Sequence, residues 1–105
     1  MPISERCKEE YRSWSHMLGI IDMTRDSLQH GNIGMARTLN EKLLRPEVAK
    51  VGGGVVIERW QRAASFLERR GERENAIEAL GKLKEAVFWE LVERVCACAV
   101  KEWGR

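Results

Sequence analysis

The 105-residue sequence contains only two prolines, Pro2 and Pro46, and no run in which apolar and polar residues alternate. Proline interrupts helices, and alternation is the pattern of a half-buried strand, so both absences favour long helices over β-structure. No stretch reaches the ~18 consecutive apolar residues of a transmembrane helix, and the first residues, MPISERCKEEY, lack the apolar segment of a secretory signal. We therefore expect an all-α protein in the cytoplasm, without a membrane segment.

Neither sign of charge is in large excess, because the formal net charge is only +2. That value is too small to indicate DNA or membrane binding by itself. Apolar residues make up 44% and charged residues 32% of the chain, as in a globular protein. A chain of this length is expected to form one domain.

Histidine and cysteine are too few, and too poorly spaced, for familiar catalytic or metal sites. Neither His16 nor His30 accompanies a recognisable nucleophile or carboxylate set, so we predict no enzyme, no catalytic or metal-binding residue, no cofactor and no small-molecule substrate. Cys96 and Cys98 would point ~200° apart on a helix and cannot share a zinc ion. Together with Cys7, they are predicted to be small buried thiols in a reducing compartment.

Breaks in the pattern divide the chain into four predicted helices that form an antiparallel bundle with a long C-terminal helix. The breaks are GNIG at 31–34, RPE at 45–47, GGG at 52–54, and Gly71. The predicted helices cover residues of about 4–30, 33–45, 55–70 and 74–103. Pro46 can begin a short extra turn, PEVAKV. The glycine run at 52–54 is either a flexible joint or a phosphate-binding loop, although the strand and the Lys-Ser/Thr of a P-loop are missing.

One arginine interrupts the apolar stripe of the first predicted helix. Arg25 occupies a position where the spacing calls for an apolar residue. It lies near the helix end and either extends its guanidinium into water or pairs with a carboxylate inside a helix interface. In the second helix, Asn32 is the expected N-cap. Its expected inward residues are Met35, Ala36, Leu39 and Leu43.

The third predicted helix separates its side chains into three faces when it is projected at ~100° per residue. The apolar face contains Val56, Trp60, Ala63, Ala64 and Leu67. The basic face contains Arg59, Arg62, Arg69 and Arg70, with Phe66 among them. The acidic-polar face contains Glu58, Gln61, Ser65 and Glu68.

The basic face has two interpretations. Four arginines over ~16 Å of helix could follow the phosphates of a nucleic acid such as duplex RNA, with Phe66 stacking on unpaired bases. Alternatively, the arginines form a solvated face and Phe66 packs under another helix. The first interpretation supports an oligomeric nucleic-acid-binding protein.

The spacing from Trp60 to Leu83 indicates a helical hairpin. Small Ala64 and Ala76 would let two antiparallel helices approach closely, and Gly71 would form the turn. The string W60-QR-A63-A64-SF-L67, Gly71, A76-IEA-L80 resembles a tetratricopeptide repeat, or the similar hairpin of microtubule-interacting-and-trafficking domains, over residues 55–86. An upstream echo places Ala36 after Gly31 as Ala76 follows Gly71.

The resemblance implies a non-enzymatic module that binds proteins, such as an adaptor, a chaperone or a regulatory subunit. Carried over by position, the groove side of the third helix would present the partner-binding residues. These are Glu58, Gln61, Ser65, Glu68 and Arg69. A partner segment could dock there by polar contacts.

The last predicted helix is apolar on most of its circumference between residues 86 and 100. Such a helix must be covered from several sides, and three other helices can hardly do so in a chain this small. We therefore predict that this segment forms a homodimer or partner interface. The expected contact residues are Val87, Phe88, Leu91 and Val95.

Overall fold

The computed structural model describes residues 5–43 and 55–103, and every element in them is helical. The helices are α1 (Glu5–Gln29), α2 (Ile33–Leu43), α3 (Val55–Arg69) and α4 (Arg73–Trp103). The all-α fold and the four helices are confirmed, and their described ends lie within two residues of those predicted. The predicted turn PEVAKV and the glycine run at 52–54 lie outside the described residues.

The four helices form an antiparallel bundle. α1 packs against both α2 and α4, and α4 also packs against α3. The disulfide between Cys7 and Cys98 and the ion pair between Lys84 and Asp22 show that α1 and α4 run in opposite directions. Hydrogen bonds from α2 to α3 close the bundle on the other side. α1 and α3 are consequently diagonal to each other, as are α2 and α4.

Two glycines make the turns of the two hairpins. Gly31 has a φ of 76° and Gly71 a φ of 74°, a conformation that costs other L-residues roughly 1–2 kcal/mol. At the second turn, Gly71 N–H donates to the Glu68 carbonyl and Glu72 N–H to the Leu67 carbonyl, both at 3.0 Å. This is the Schellman arrangement that ends helices, and it confirms the predicted turn.

The first hairpin repeats this design at an offset of 40 residues, from Gly31 to Gly71. Gly31 and Asn32 make the equivalent backbone bonds to α1. Asn32 Oδ1 accepts from the Met35 N–H at 3.2 Å, which confirms the predicted N-cap. Both Ala36 and Ala76 are completely buried. The upstream echo in the sequence therefore corresponds to two similar hairpins.

The core runs along the centre of the bundle and contains side chains from all four helices. Its largest fully buried members are Trp14, Met17, Ile21, Leu28, Leu80, Leu83 and Val87. Ala64 is buried and Trp60 packs against this cluster while half-exposed. The hairpin predicted from the spacing of Trp60, Ala64 and Ala76 is confirmed, since α3 packs along α4.

The prediction of three buried free thiols is wrong, although Cys7 is buried as expected. Cys7 of α1 and Cys98 of α4 form a disulfide with a Cα–Cα distance of 5.8 Å, and Cys96 is a free, exposed thiol. Spacing within α4 correctly separated Cys96 from Cys98. It contained no information about α1, whose first turn meets the last turns of α4 in the antiparallel pair.

Arg25 lies in the interface between α1 and α4. Its guanidinium carbon is 3.7 Å from the position that a Cβ atom on Gly81 would occupy. Arg25 Nε is buried without a hydrogen-bond acceptor, and among the described residues the side chain forms no ion pair. The predicted pairing with a carboxylate is therefore not seen there. The guanidinium instead lies beside Gly81, where an added Cβ atom would be in ordinary van der Waals contact with it.

Candidate interaction surfaces

The acidic-polar face of α3 lies largely against α2. Gln61 and Glu68 are each only 7% exposed. Gln61 Nε2 donates to the carbonyl of Leu43 at 3.2 Å. The prediction that these two residues contact a partner is corrected here, because α2 already covers them. Glu58 remains exposed.

A half-buried ion pair joins α2 to α3 at the other end of this contact. Arg37 Nε donates to Glu68 Oε1 at 2.9 Å. The Glu68 side chain is 4% exposed, whereas that of Arg37 is 62% exposed. A carboxylate that is removed from water needs a charged partner. Arg37 provides that partner for Glu68.

The remaining predicted partner residues, Ser65 and Arg69, line a cleft between α2 and α3. Its volume is about 380 Å³. The other lining residues are Arg37, Asn40, Glu41 and Glu68. Asn40 is 7% exposed, and its Nδ2 atom has no hydrogen-bond partner. The sequence analysis did not identify Asn40 as a site residue, because an asparagine within a helix carries no distinctive spacing.

The basic face of α3 is exposed along its whole length. Arg59, Arg62, Arg69 and Arg70 all lie on the surface, and Phe66 is 57% exposed instead of packing under another helix. The Arg70 guanidinium lies 5.4 Å from the centre of the Phe66 ring.

Two of these arginines have local carboxylate partners. Arg62 pairs with Glu58 one turn earlier. Arg70 pairs with Glu72 at 3.3 Å. Within the described residues, Arg59 and Arg69 form no ion pair, so their guanidinium groups remain available to a ligand.

The predicted contact residues on α4 divide between the core and the surface. Val87 is fully buried and Leu91 is 8% exposed, so neither presents a surface to a partner, and that part of the prediction is corrected. Both side chains are covered because α4 packs against α1 and α3. Val95 is half-buried against the core, and Phe88 is 47% exposed.

The exposed side of α4 nevertheless carries an apolar stripe. Trp89 is 61% exposed and Val100 is 69% exposed, while Val92 is half-buried and the Cys96 thiol is exposed. Val92, Cys96 and Val100 follow Trp89 at helical steps of three and four, and Phe88 lies four residues before Val92. The stripe was missed in detail because the sequence makes nearly the whole circumference of α4 apolar.

Two residues of α1 widen the stripe. Arg25 and Gly81 mark the side on which α1 meets α4. Tyr11 and Leu18 lie two and one heptads before Arg25, and Phe88 lies one heptad after Gly81, so all three lie on that side. Tyr11 is 54% exposed. We name the combined surface the α1–α4 outer face. It consists of Tyr11, Leu18, Phe88, Trp89, Val92, Val95, Cys96 and Val100.

The other side of the same helix pair is charged. The Arg94 guanidinium lies 4.9 Å from the centre of the buried Trp14 ring. It also lies 3.4 Å from carboxylate oxygens of both Glu10 and Glu90. Trp14 Nε1 donates to Glu10 as well, at 3.3 Å. This network covers the buried tryptophan with polar groups that pair with one another.

The described ranges contain no group of three or more His, Cys, Asp or Glu side chains that could hold a metal ion. Likewise, none of the helices in them is both long enough and apolar enough to cross a membrane. Comparison of the chain with protein-family models, with curated proteins and with solved structures finds no match. The tetratricopeptide-like resemblance consequently stays a prediction.

Proposed function

We propose that the protein is a non-enzymatic helical interaction module that self-associates through the α1–α4 outer face. The observation that carries this proposal is the exposure of Phe88, Trp89 and Val100 on one side of α4. Contiguous exposed apolar surface is costly in water and marks interaction sites. Aromatic side chains are also enriched at the centres of protein interfaces.

The size of the face is appropriate for a homodimer. Phe88 to Val100 spans ~18 Å at 1.5 Å per residue, and two helices at 8–10 Å spacing make the face ~20 Å wide. The resulting area is about 360 Å². A standard interface buries roughly 800 Å² per partner, of which about 450–500 Å² is apolar. The face supplies most of that apolar area, and the surrounding polar side chains can supply the rim.

A second copy of the chain is the occupant that best fits the chemistry of the face. Its eight defining residues carry no formal charge, which offers nothing to a nucleic acid or to an acidic peptide. A convex pair of helices packs well against another such pair, and two-fold self-complementary contacts are the commonest way for soluble proteins to associate.

The proposal is tested by the mass of the protein in solution. We expect size-exclusion chromatography with light scattering to give about twice the monomer mass of 12.1 kDa for a Cys96→Ser protein, which cannot form an accidental intermolecular disulfide. Adding Phe88→Glu should return it to the monomer, because the substitution would bury an unpaired charge in the interface.

Phe66→Glu is the matched control, since Phe66 is a similarly exposed phenylalanine on α3, outside the α1–α4 outer face. It should leave the mass unchanged. A monomeric Cys96→Ser protein at concentrations of ~100 μM would refute the proposal, because even weak specific dimers have dissociation constants in the micromolar range. Equal effects of the two glutamates would refute it as well.

A second candidate function is nucleic-acid binding by the basic face of α3. The observation that favours it is the joint exposure of four arginines and of Phe66, together with the absence of local ion pairs at Arg59 and Arg69 within the described helices. Each phosphate contact adds roughly 0.9 to the slope of log affinity against log salt for a duplex.

A salt titration of binding to duplex RNA tests this candidate. Changing both Arg59 and Arg69 to Gln should weaken binding and reduce the slope by about 2. Changing Arg6 and Arg12 of α1, which are exposed elsewhere, should change neither quantity. Binding of equal strength and slope in the two double variants would eliminate this function.

A further inference from the structure

The two hairpins, α1–α2 and α3–α4, have similar turns and similar packing. Superimposing one hairpin on the other therefore lets the α1–α4 contact be compared with the α2–α3 contact. The offset of 40 residues maps α1 onto α3 and α2 onto α4. It therefore maps the contact between α1 and α4 onto the contact between α3 and α2. The first contact is long and close, whereas the second involves few close backbone approaches. The bundle thus has one closed seam and one open seam.

Polar side chains occupy the open seam at positions whose counterparts are apolar. Gln61 corresponds to Ile21, Glu68 to Leu28 and Asn40 to Leu80 by the same offset. The three apolar counterparts are 0–1% exposed. The three polar residues are each 7% exposed. The bundle therefore buries apolar residues at the counterpart positions of the closed seam.

Burial of these polar groups is unfavourable unless each finds a partner. Gln61 donates to a backbone carbonyl and Glu68 pairs with Arg37. Asn40 Nδ2 has no acceptor, although it lines the cleft between α2 and α3. Asn40 is more than nine-tenths buried, and it lines a cleft of about 380 Å³. A donor without a partner in such a place indicates that a ligand supplies the missing acceptor.

The other lining residues define the chemistry of that ligand. Arg69 forms no ion pair with any described residue, and Ser65 offers a hydroxyl beside it. Glu68 is already neutralised by Arg37. Glu41 is the one lining carboxylate with no ion pair to a described residue; the other unused groups are donors, which suit an anionic oxygen group.

The charge of the cleft distinguishes a carboxylate from a phosphate. Two arginines and two glutamates line it, so its formal charges balance, and a dianion would bring more uncompensated charge into it than a singly charged group. A carboxylate carries one charge and can take two donors at once. We propose that the α2–α3 cleft is a binding site for a carboxylate group, held by Asn40 Nδ2, the Arg69 guanidinium and the Ser65 hydroxyl.

This site lies on the opposite side of the bundle from the α1–α4 outer face, so it does not depend on self-association. The carboxylate could belong to a small organic acid or to the end of a peptide. A volume of about 380 Å³ is near the lower end of the range for ligand pockets. It accommodates either source, and the experiment below separates them.

The test is a titration followed by the side-chain amide resonances of Asn40 in ¹⁵N-labelled protein. The probes are propionate, N-acetylated trialanine with a free carboxylate, the same peptide as its C-terminal amide, and inorganic phosphate. We expect saturable shifts with propionate or with the free-acid peptide, and the tighter of the two identifies the source. The peptide amide and phosphate should produce no saturable shift.

Variants separate binding from structure. Arg69→Gln should lower the affinity by about tenfold or more, since it removes a charge-assisted bond. Arg70→Gln, next in sequence but outside the lining, should not. Asn40→Leu should abolish binding, followed through backbone amide shifts. The midpoint of urea unfolding should stay the same or rise, because leucine removes a buried donor that lacks a partner and its counterpart Leu80 is fully buried.

Three results would overturn the proposal. The first is no saturable shift with either carboxylate probe. The second is binding of the peptide amide or of phosphate as tightly as the carboxylates. The third is a large loss of stability in Asn40→Leu, which would show that the amide serves the fold and not a ligand.

Discussion

Reduction of the disulfide between Cys7 and Cys98 should destabilise the protein more than any single surface substitution. The bond joins residues 91 positions apart and therefore closes nearly the whole chain into one loop. In the chain-entropy account, closure restricts the unfolded ensemble and so raises its free energy. The native bundle would keep its helices on reduction, but the unfolded chain would no longer be restricted. The free energy of unfolding would therefore fall.

The magnitude follows from the length of the loop. An entropy of −2.1 − 1.5R ln n cal/mol/K with n near 91 corresponds to about 4.6 kcal/mol at 25 °C. For a domain of this size, such a loss lowers the melting temperature by about 20 °C. Net stabilities of domains are typically 5–15 kcal/mol. The reduced protein should therefore be close to the limit of stable folding.

Urea unfolding followed by circular dichroism, with and without a phosphine reductant, measures the effect. We expect the midpoint to fall on reduction and the m-value to rise, since the unlinked unfolded chain exposes more surface. In a double variant with Cys7→Ala and Cys98→Ala, the reductant should change nothing, and the stability should resemble that of the reduced protein. A loss below about 1 kcal/mol would refute the loop-entropy reasoning.

Two further predictions concern the fold. Gly71→Ala should lower the free energy of unfolding by roughly 1–2 kcal/mol, measured with urea, because Gly71 has a positive φ. Gly19→Ala, in open space on α1, should raise it by roughly 0.5–1 kcal/mol. A loss at Gly19 equal to that at Gly71 would contradict the turn geometry. Leu80→Ala should cost about 2–5 kcal/mol because the side chain is fully buried. Val56→Ala, at an exposed position of α3, should change stability by under about 0.5 kcal/mol, and comparable losses in both would contradict the assigned core.

Local signals predicted the helices and their turns. Gly31 and Gly71 end helices through backbone geometry that other residues avoid, and Asn32 caps the next helix with its own side chain. The small Ala64 and Ala76 marked where α3 approaches α4. Each of these features depends on a few neighbouring residues, so the sequence contains the necessary information.

Assignments that depend on which helices are neighbours were less successful. The projection of α3 placed Gln61 and Glu68 together on one face, which is correct, but it could not show that α2 covers that face. The apolar circumference of α4 similarly hid which residues face inward, so Val87 and Leu91 were taken for surface contacts. Polar character alone does not distinguish a solvated side chain from one paired across a helix contact.

The disulfide illustrates the same limit at the longest range. Cys7 and Cys98 meet because α1 and α4 are antiparallel over most of their lengths. Sequence spacing within either helix could not reveal this pairing, and three cysteines allow more than one partner choice. The exposed Cys96 is left in the middle of the α1–α4 outer face, where a dimer would shield it.

The most direct test of self-association is a pair of isotope-labelled and unlabelled chains mixed in one sample. Isotope-filtered nuclear Overhauser spectra then detect only contacts between two copies, and Cys96→Ser removes accidental cross-links. We predict contacts from the Trp89 indole or Phe88 ring to valine methyl groups of the other copy. Contacts that arise only from α3, or no contacts at concentrations where light scattering reports a dimer, would contradict the α1–α4 outer face as the interface.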